Sequence, residues 1–286
     1  MHDSLTDLVR AELATPVDPR ARMMAAAIAA QYPGSARAVL FYGSCLRETQ
    51  LDGLMLDFYL IVSDYRAAYD KAWLATANKL IPPNVFHFEH GGLVSKYAVL
   101  SEADFHRLNG PETRNVSVWA RFAQPSRLVW AADEQAKKQA IDAVSRAVPT
   151  LLAAAGRIEG EPVLDWWRRA LSLTYSVELR AERKVGIGSV VDFEPERYER
   201  FAAAALKDLP QGDQASWSRR RFEGKALSVV RLAKASATFA GGVDYIAWKI
   251  NRHAGADIVI KPWQRRWPLL AAISLLPRLL RSGAVR

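Results

Sequence analysis

Phe41-Tyr42-Gly43-Ser44, followed by Leu56-Asp57-Phe58-Tyr59-Leu60-Ile61-Val62, is the pair of segments on which the fold turns. The first is the end of an apolar strand that runs into a Gly-Ser turn. The second is a longer apolar strand that opens with a single carboxylate. Gly43 lacks the Cβ that would hold a backbone away from an anionic ligand. The Ser44 hydroxyl and the N–H groups of the turn are donors for phosphate oxygens. Asp57, on the adjoining strand, is a hard oxygen ligand for Mg2+. The pattern suits a triphosphate, with Tyr42, Gly43 and Ser44 around the phosphates. The same residues also fit an ordinary hairpin with a solvent-facing acid.

Two-metal chemistry needs several acidic ligands. On this strand only Asp57 is acidic; a partner separated from it by one residue would fall at Met55 or Tyr59. Asp52, Glu89 and Glu178 are the other carboxylates considered as ligands.

The chain has 286 residues, half of them hydrophobic, enough for one large or two modest domains with a sizeable core. Its net charge of +9 suits a polyanionic partner, whether nucleotide, nucleic acid or anionic lipid. Cys45 is the only cysteine, so no disulfide forms within the chain and no Cys-type structural zinc is expected. His87 and His90 look like a metal pair, but at i, i+3 on a strand they face opposite sides, and no zinc is expected there. The N-terminal stretch is acidic without an apolar run, and nothing reaches the roughly 18 apolar residues of a spanning helix. These features predict a cytoplasmic protein.

Helical spacing covers residues 3–14, 21–31 and 64–80; strands are predicted at 38–42, 54–62, 85–89 and 94–100, with a turn at Gly91-Gly92. Ser101 caps a further helix. From about Glu134 onward the chain reads as mostly helical, with a short hairpin within 185–193. The expected fold class is α+β, with a small mixed sheet and helices between its strands.

The C-terminal end has a different character. After Asp257 there is no acid, while Lys261, Arg265, Arg266, Arg278, Arg281 and Arg286 follow. Trp263 and Trp267 lie among them, beside the apolar run 269–276. That run suits an interfacial helix with Trp and Arg at headgroup level, or a helix packed on the domain with Arg in water.

The loop and strand resemble those of polymerase-β-type nucleotidyltransferases. In order along the chain, further segments resemble the mitochondrial-type phosphatidate cytidylyltransferases, peripheral CDP-diacylglycerol synthases of translocator-maintenance type. A Tyr-Gly-Ser-Gly loop is matched by Tyr42-Gly43-Ser44-Cys45, and a one-Asp strand by Leu56-Asp57-Phe58. A Lys-Tyr-Gly strand is matched by Lys96-Tyr97-Ala98. An Ala-Gly-Arg-x-x-Lys-Pro segment is matched by Trp119-Ala120-Arg121-Phe122-Ala123-Gln124-Pro125. Tyr175-Ser176-Val177-Glu178-Leu179-Arg180 and Gly241-Gly242-Val243-Asp244-Tyr245, with Lys249, match two later segments. The departures are Cys45 for Gly, Gln124 for Lys and Glu178 for Asp.

The resemblance implies a nucleotidyltransferase domain over 1–133, a mostly helical winged-helix-like domain over 134–256, and a basic amphipathic membrane-contacting segment over 257–286. It implies CTP and phosphatidate as substrates, with CDP-diacylglycerol and pyrophosphate as products. Mg2+ would be held by Asp57 and Glu178, and phosphate charge would be met by Lys96 and Arg121. Trp263, Arg265, Arg266, Trp267, Arg278 and Arg281 would meet an anionic membrane surface, placing the protein peripherally on the cytoplasmic face of the inner membrane. No nucleic-acid partner is expected, because no aromatic-basic stacking motif of an RNA module is visible. The alternatives are nucleotide transfer to RNA or a small alcohol, and a catalytically inactive lipid-binding relative.

Overall fold

The computed structural model describes residues 3–48, 50–177, 187–210, 216–238 and 261–262. Two helices come first, α1 (Leu5–Leu13) and α2 (Pro19–Ala30). Each starts at an acceptor side chain: Ser4 accepts from Asp7 N–H, and Asp18 from Arg20 N–H with Pro19 behind it. Strand β1 (Ala36–Tyr42) runs into a 3-10 turn at Ser44–Arg47, and β2 (Met55–Val62) follows.

The stretch expected as one helix over 64–80 is two, α3 (Tyr65–Ala68) and α4 (Ala72–Leu80). Tyr69 between them is extended, and its buried hydroxyl accepts from the Asn78 amide. Burying that ring outweighs the continuation of helical spacing.

Next come β3 (Asn84–His90), β4 (Leu93–Ser101), α5 (Glu102–Asn109) and α6 (Trp119–Phe122). Strand β5 (Ser126–Ala131) follows and had no counterpart in the sequence reading. The helices α7 (Glu134–Ser145), α8 (Ala147–Ala155), α9 (Val163–Tyr175), α10 (Ile187–Phe193), α11 (Pro195–Ala205) and α12 (Trp217–Thr238) complete the described chain. Where a hairpin was expected within 185–193, residues 187–193 are helical; Val191 is fully buried, so this stretch packs by helix-face burial and not by strand pairing.

The sheet has five strands in the order β3-β4-β2-β1-β5. Only the central β2–β4 pair is parallel; the other pairs are antiparallel. The fold is therefore α+β around a mixed sheet. Alternation along the strands sends residues to two cores. One face carries Leu40, Tyr59, Ala98 and Leu100 against Phe105, Phe122 and Val144. This core runs on without interruption to Leu151, Trp166, Trp167 and Tyr198, on the far side of position 133. The other face carries Phe41, Phe58, Leu60 and Val99 against Met24, Ile28 and Tyr32.

A buried ion pair ties the helical part to the N-terminus. The Arg197 guanidinium donates to both oxygens of Glu12, with Nη2 3.0 Å from Oε1, and Nη1 donates to Ala123 O at 3.1 Å. The Arg197 guanidinium also lies 4.2 Å over the Phe201 ring.

Candidate functional site

The register of the sheet lines up one row of polar side chains. Tyr42 on β1 pairs with Asp57 on β2, Asp57 with Lys96 on β4, and Lys96 with His87 on β3. On the other side Tyr42 pairs with Ser126 on β5, so the row crosses all five strands. These residues share one face, because residues directly opposite in a ladder point the same way.

Gly43 brings the turn down onto this row. Its φ of 92° lies where L side chains are strained, and a Cβ there would stand 3.2 Å from Asp57 Oδ2. The close approach of backbone to carboxylate is why position 43 is glycine. Ser44 follows, exposed, at the start of the 3-10 turn.

Lys96 Nζ lies 3.0 Å from Asp57 Oδ1, and both side chains keep some water, at 29% and 22% exposure. That partial hydration is what lets an ion pair sit in a mostly apolar sheet without the full cost of burying two charges. Arg121 arrives from α6, where Phe122 packs against Tyr59 at 5.2 Å and Tyr42 at 6.1 Å between ring centroids. The packing sets the guanidinium 5.8 Å over the Tyr42 ring. Cys45 is buried beside the same carboxylate with Sγ 3.5 Å from Met55 O; burial, then the charge of Asp57, pushes its thiol up. It is therefore a poor nucleophile.

The structure thus brings Tyr42, Gly43, Asp57, Lys96 and Arg121 together, with Ser44 adjoining. It places other candidates elsewhere. Asp52 pairs with Arg20 at 3.0 Å and is exposed. Glu89 is exposed at the outer end of β3, 3.5 Å from His87 Nε2. Glu178, the segment 241–249, and Trp263, Arg265, Arg266, Trp267, Arg278 and Arg281 lie outside the described residues. Two neighbours were missed in the sequence. Ser126 lacked a recognised strand, although Pro125 before it marks a boundary. Arg47 closes the 3-10 turn and reaches over the Phe193 ring at 5.6 Å, a contact no local pattern announces.

Among the described residues no group of three or more His, Cys, Asp or Glu side chains is placed to hold a metal. One carboxylate still fits Mg2+ of the kind bound through one or two carboxylates, several waters and the phosphates of a substrate. Asp57 is the residue here that would hold it.

No protein family matches the chain, and no curated protein does. Among solved structures, the chain is similar to a nucleotidyltransferase-like protein from Exiguobacterium sibiricum 255-15, at 11% identity over 92% of each chain and a TM-score of 0.29. A likeness that low carries no argument, and the α+β class rests on the sheet itself. Among the described residues no helix is long and apolar enough to cross a membrane.

Proposed function

We propose that the protein transfers a nucleotidyl group from a triphosphate to a phosphate-bearing acceptor, and specifically from CTP to phosphatidate. The observation that carries this reading is the turn at Gly43 seated against Asp57, with Lys96 and Arg121 converging on the same row. A backbone free of Cβ, two cations and one carboxylate form a cradle of the composition that a triphosphate needs.

In this reading the acceptor phosphate oxygen attacks the α-phosphorus, the bond from the α-phosphorus to the bridging oxygen breaks, and pyrophosphate leaves with the electron pair. A phosphomonoester, with a second pKa of about 6, is already largely ionised near neutrality and needs no dedicated base. The chain's task is then positioning and charge neutralisation. Gly43 and Ser44 hold the triphosphate, with Tyr42 beneath the turn. Lys96 orients Asp57 in the free protein and meets phosphate charge in the complex, and Arg121 meets it from α6. Mg2+ on Asp57, with Glu178 as a further ligand, would draw charge from the phosphate oxygens. The acceptor's lipid nature implies peripheral attachment to an anionic membrane surface, served by the basic 257–286 segment on the cytoplasmic face.

The test is to incubate purified protein with phosphatidate vesicles, Mg2+ and each labelled triphosphate in turn. Labelled lipid formed from CTP supports the full reading. Label passing to RNA or a small alcohol would replace the acceptor. Triphosphate binding without any labelled product would leave a binding protein and reject catalysis.

A further inference from the structure

Helix α4 buries an amide and exposes two of its large apolar side chains. Its inward face buries Ala75 and Asn78, while Trp73 and Leu80 stand 49% and 74% exposed. The Asn is held by a complete set of bonds: Nδ2 donates to Tyr69 Oη at 3.1 Å and Val99 O at 3.0 Å, and Oδ1 accepts from Asn84 N–H at 2.5 Å. Asn84 Nδ2 in turn donates to Leu74 O at 3.0 Å. The helix is thus fixed to β3 and β4 by these hydrogen bonds and by Leu74 and Ala75 packed on the α2-side core, while Trp73 and Leu80 stay outside it. Trp73 and Leu80 are i and i+7, two turns apart on one side of the helix.

The surroundings of that face are basic. Lys71 and Lys79 are exposed. The loop after α4 is held by two basic side chains from α12, of which Lys234 has its pKa pushed down to about 7 by burial and then by the charge of Arg231. Arg231 Nε donates to Pro82 O at 2.9 Å, and Lys234 Nζ donates to Pro83 O at 2.8 Å and to Ile81 O. Beside them on α12, Val230 is 44% exposed. Asp70 is the acid that precedes the helix.

A short helix with an exposed Trp and Leu and lysines at its border has the chemistry of an interfacial anchor. We propose that the outer face of α4, extended by Val230, docks on an anionic lipid surface, with Trp73 and Leu80 entering the headgroup–acyl boundary and Lys71 and Lys79 meeting the headgroups. The charge of the border selects an anionic bilayer over a second copy of this basic chain, which would bring like charges together. The proposal rests on the reading that the acceptor is a lipid, and it adds a docking site separate from the C-terminal segment.

The test uses the full chain, sedimented with phosphatidylcholine vesicles with and without phosphatidylglycerol. Wild type is expected to partition onto the anionic vesicles. Trp73→Ser with Leu80→Ser should lower the partition coefficient at least about tenfold, and Lys79→Glu should lower it by less. Ile158→Ser, at an exposed apolar residue remote from α4 in the chain, should leave it unchanged. Circular dichroism melts of all variants should overlay, since none of these side chains is buried. Equal partition of wild type and the Trp73/Leu80 variant would overturn the proposal, as would a wild type that ignores anionic vesicles. So would self-association of wild type, without lipid, that the same substitutions abolish, because the face would then join copies. Vesicle binding is read without turnover. Partition that follows the prediction while no labelled lipid forms would retain the docking face and reject the transfer reading.

Discussion

Two neighbouring rows of the same sheet carry opposite chemistry. Phe41, Phe58, Tyr97 and Phe86 pair across β1, β2, β4 and β3, with the Phe41 and Phe58 rings stacked at 5.0 Å and the Phe86 and Tyr97 rings tilted at 5.5 Å. One step along the strands, Tyr42, Asp57, Lys96 and His87 pair in the same order and point to the other face. The aromatic row faces α2 and is buried apart from Phe86 at the sheet edge; Phe58 has no exposed surface. The second row lies where the strands open toward the Gly43 turn, and its ion pair stays partly hydrated. A period of two therefore separates packing from chemistry at a spacing of one residue, and position 57 can change its chemistry while position 58 holds the sheet.

That separation can be broken in either direction. The largest effect is expected on the packing side. Phe58→Ala should cost about 3–5 kcal/mol of stability by emptying a fully buried site, read as a lowered urea midpoint with an unchanged slope. A cost under about 1 kcal/mol would mean that the aromatic row does not hold the sheet.

On the chemical side, Asp57→Asn keeps the shape and removes the charge. Nucleotide transfer should fall at least about a hundredfold, the scale of losing one central electrostatic group. Stability should change by no more than about 1 kcal/mol, since a partly exposed pair contributes little. If the variant unfolds as readily as Phe58→Ala, the two rows are not separable.

The junction of turn and row is tested by glycine. Gly43→Ala should cost about 1–3 kcal/mol for the strained backbone, and its Cβ, 3.2 Å from Asp57 Oδ2, should also displace the carboxylate and depress triphosphate affinity. Gly34→Ala is the control, because its φ of 71° is similarly strained but no heavy atom lies within 4 Å of the new Cβ. Equal triphosphate affinity in the two variants, by isothermal titration, would show that the close approach has no role in binding.

The smallest effect sharpens the edge of the polar row. Ser126 is fully buried and its Oγ has no hydrogen-bond partner among the described residues. Ser126→Ala should leave the melting temperature unchanged or raise it, by up to about 1 kcal/mol in stability, because an unsatisfied hydroxyl is lost. A clear fall in stability would mean that the hydroxyl is bonded in solution.

Much of this was legible in the chain. The strands at 38–42, 54–62, 85–89 and 94–100 stand within one or two residues of β1 to β4, because alternation and the Gly91-Gly92 turn are local signals. The break at Tyr69 was not legible, since helical spacing runs across it and what interrupts it is burial of the ring, with a hydrogen bond from Asn78 to its hydroxyl. Strand β5 was hidden for a similar reason. Ser126-Arg127-Leu128-Val129-Trp130-Ala131 carries two polar residues at its start, and its pairing with β1 shifts register at Val39/Leu40. The exposure of Trp73 and Leu80 on α4 was equally invisible, because a helix with Trp, Leu, Ala and Asn gives no sign that the Asn is buried.

The sequence by itself determined the Gly-Ser turn, the lone strand carboxylate and the basic balance of the chain, since each is a property of residue type at short range. The tertiary structure alone decided that Asp57 meets Lys96, 39 positions further along the chain, and that Arg121 joins them from α6. The physical reason is register. The parallel pairing of β2 with β4 is set by both hydrophobic cores at once, and a slip of one residue would have sent the whole polar row into the aromatic core.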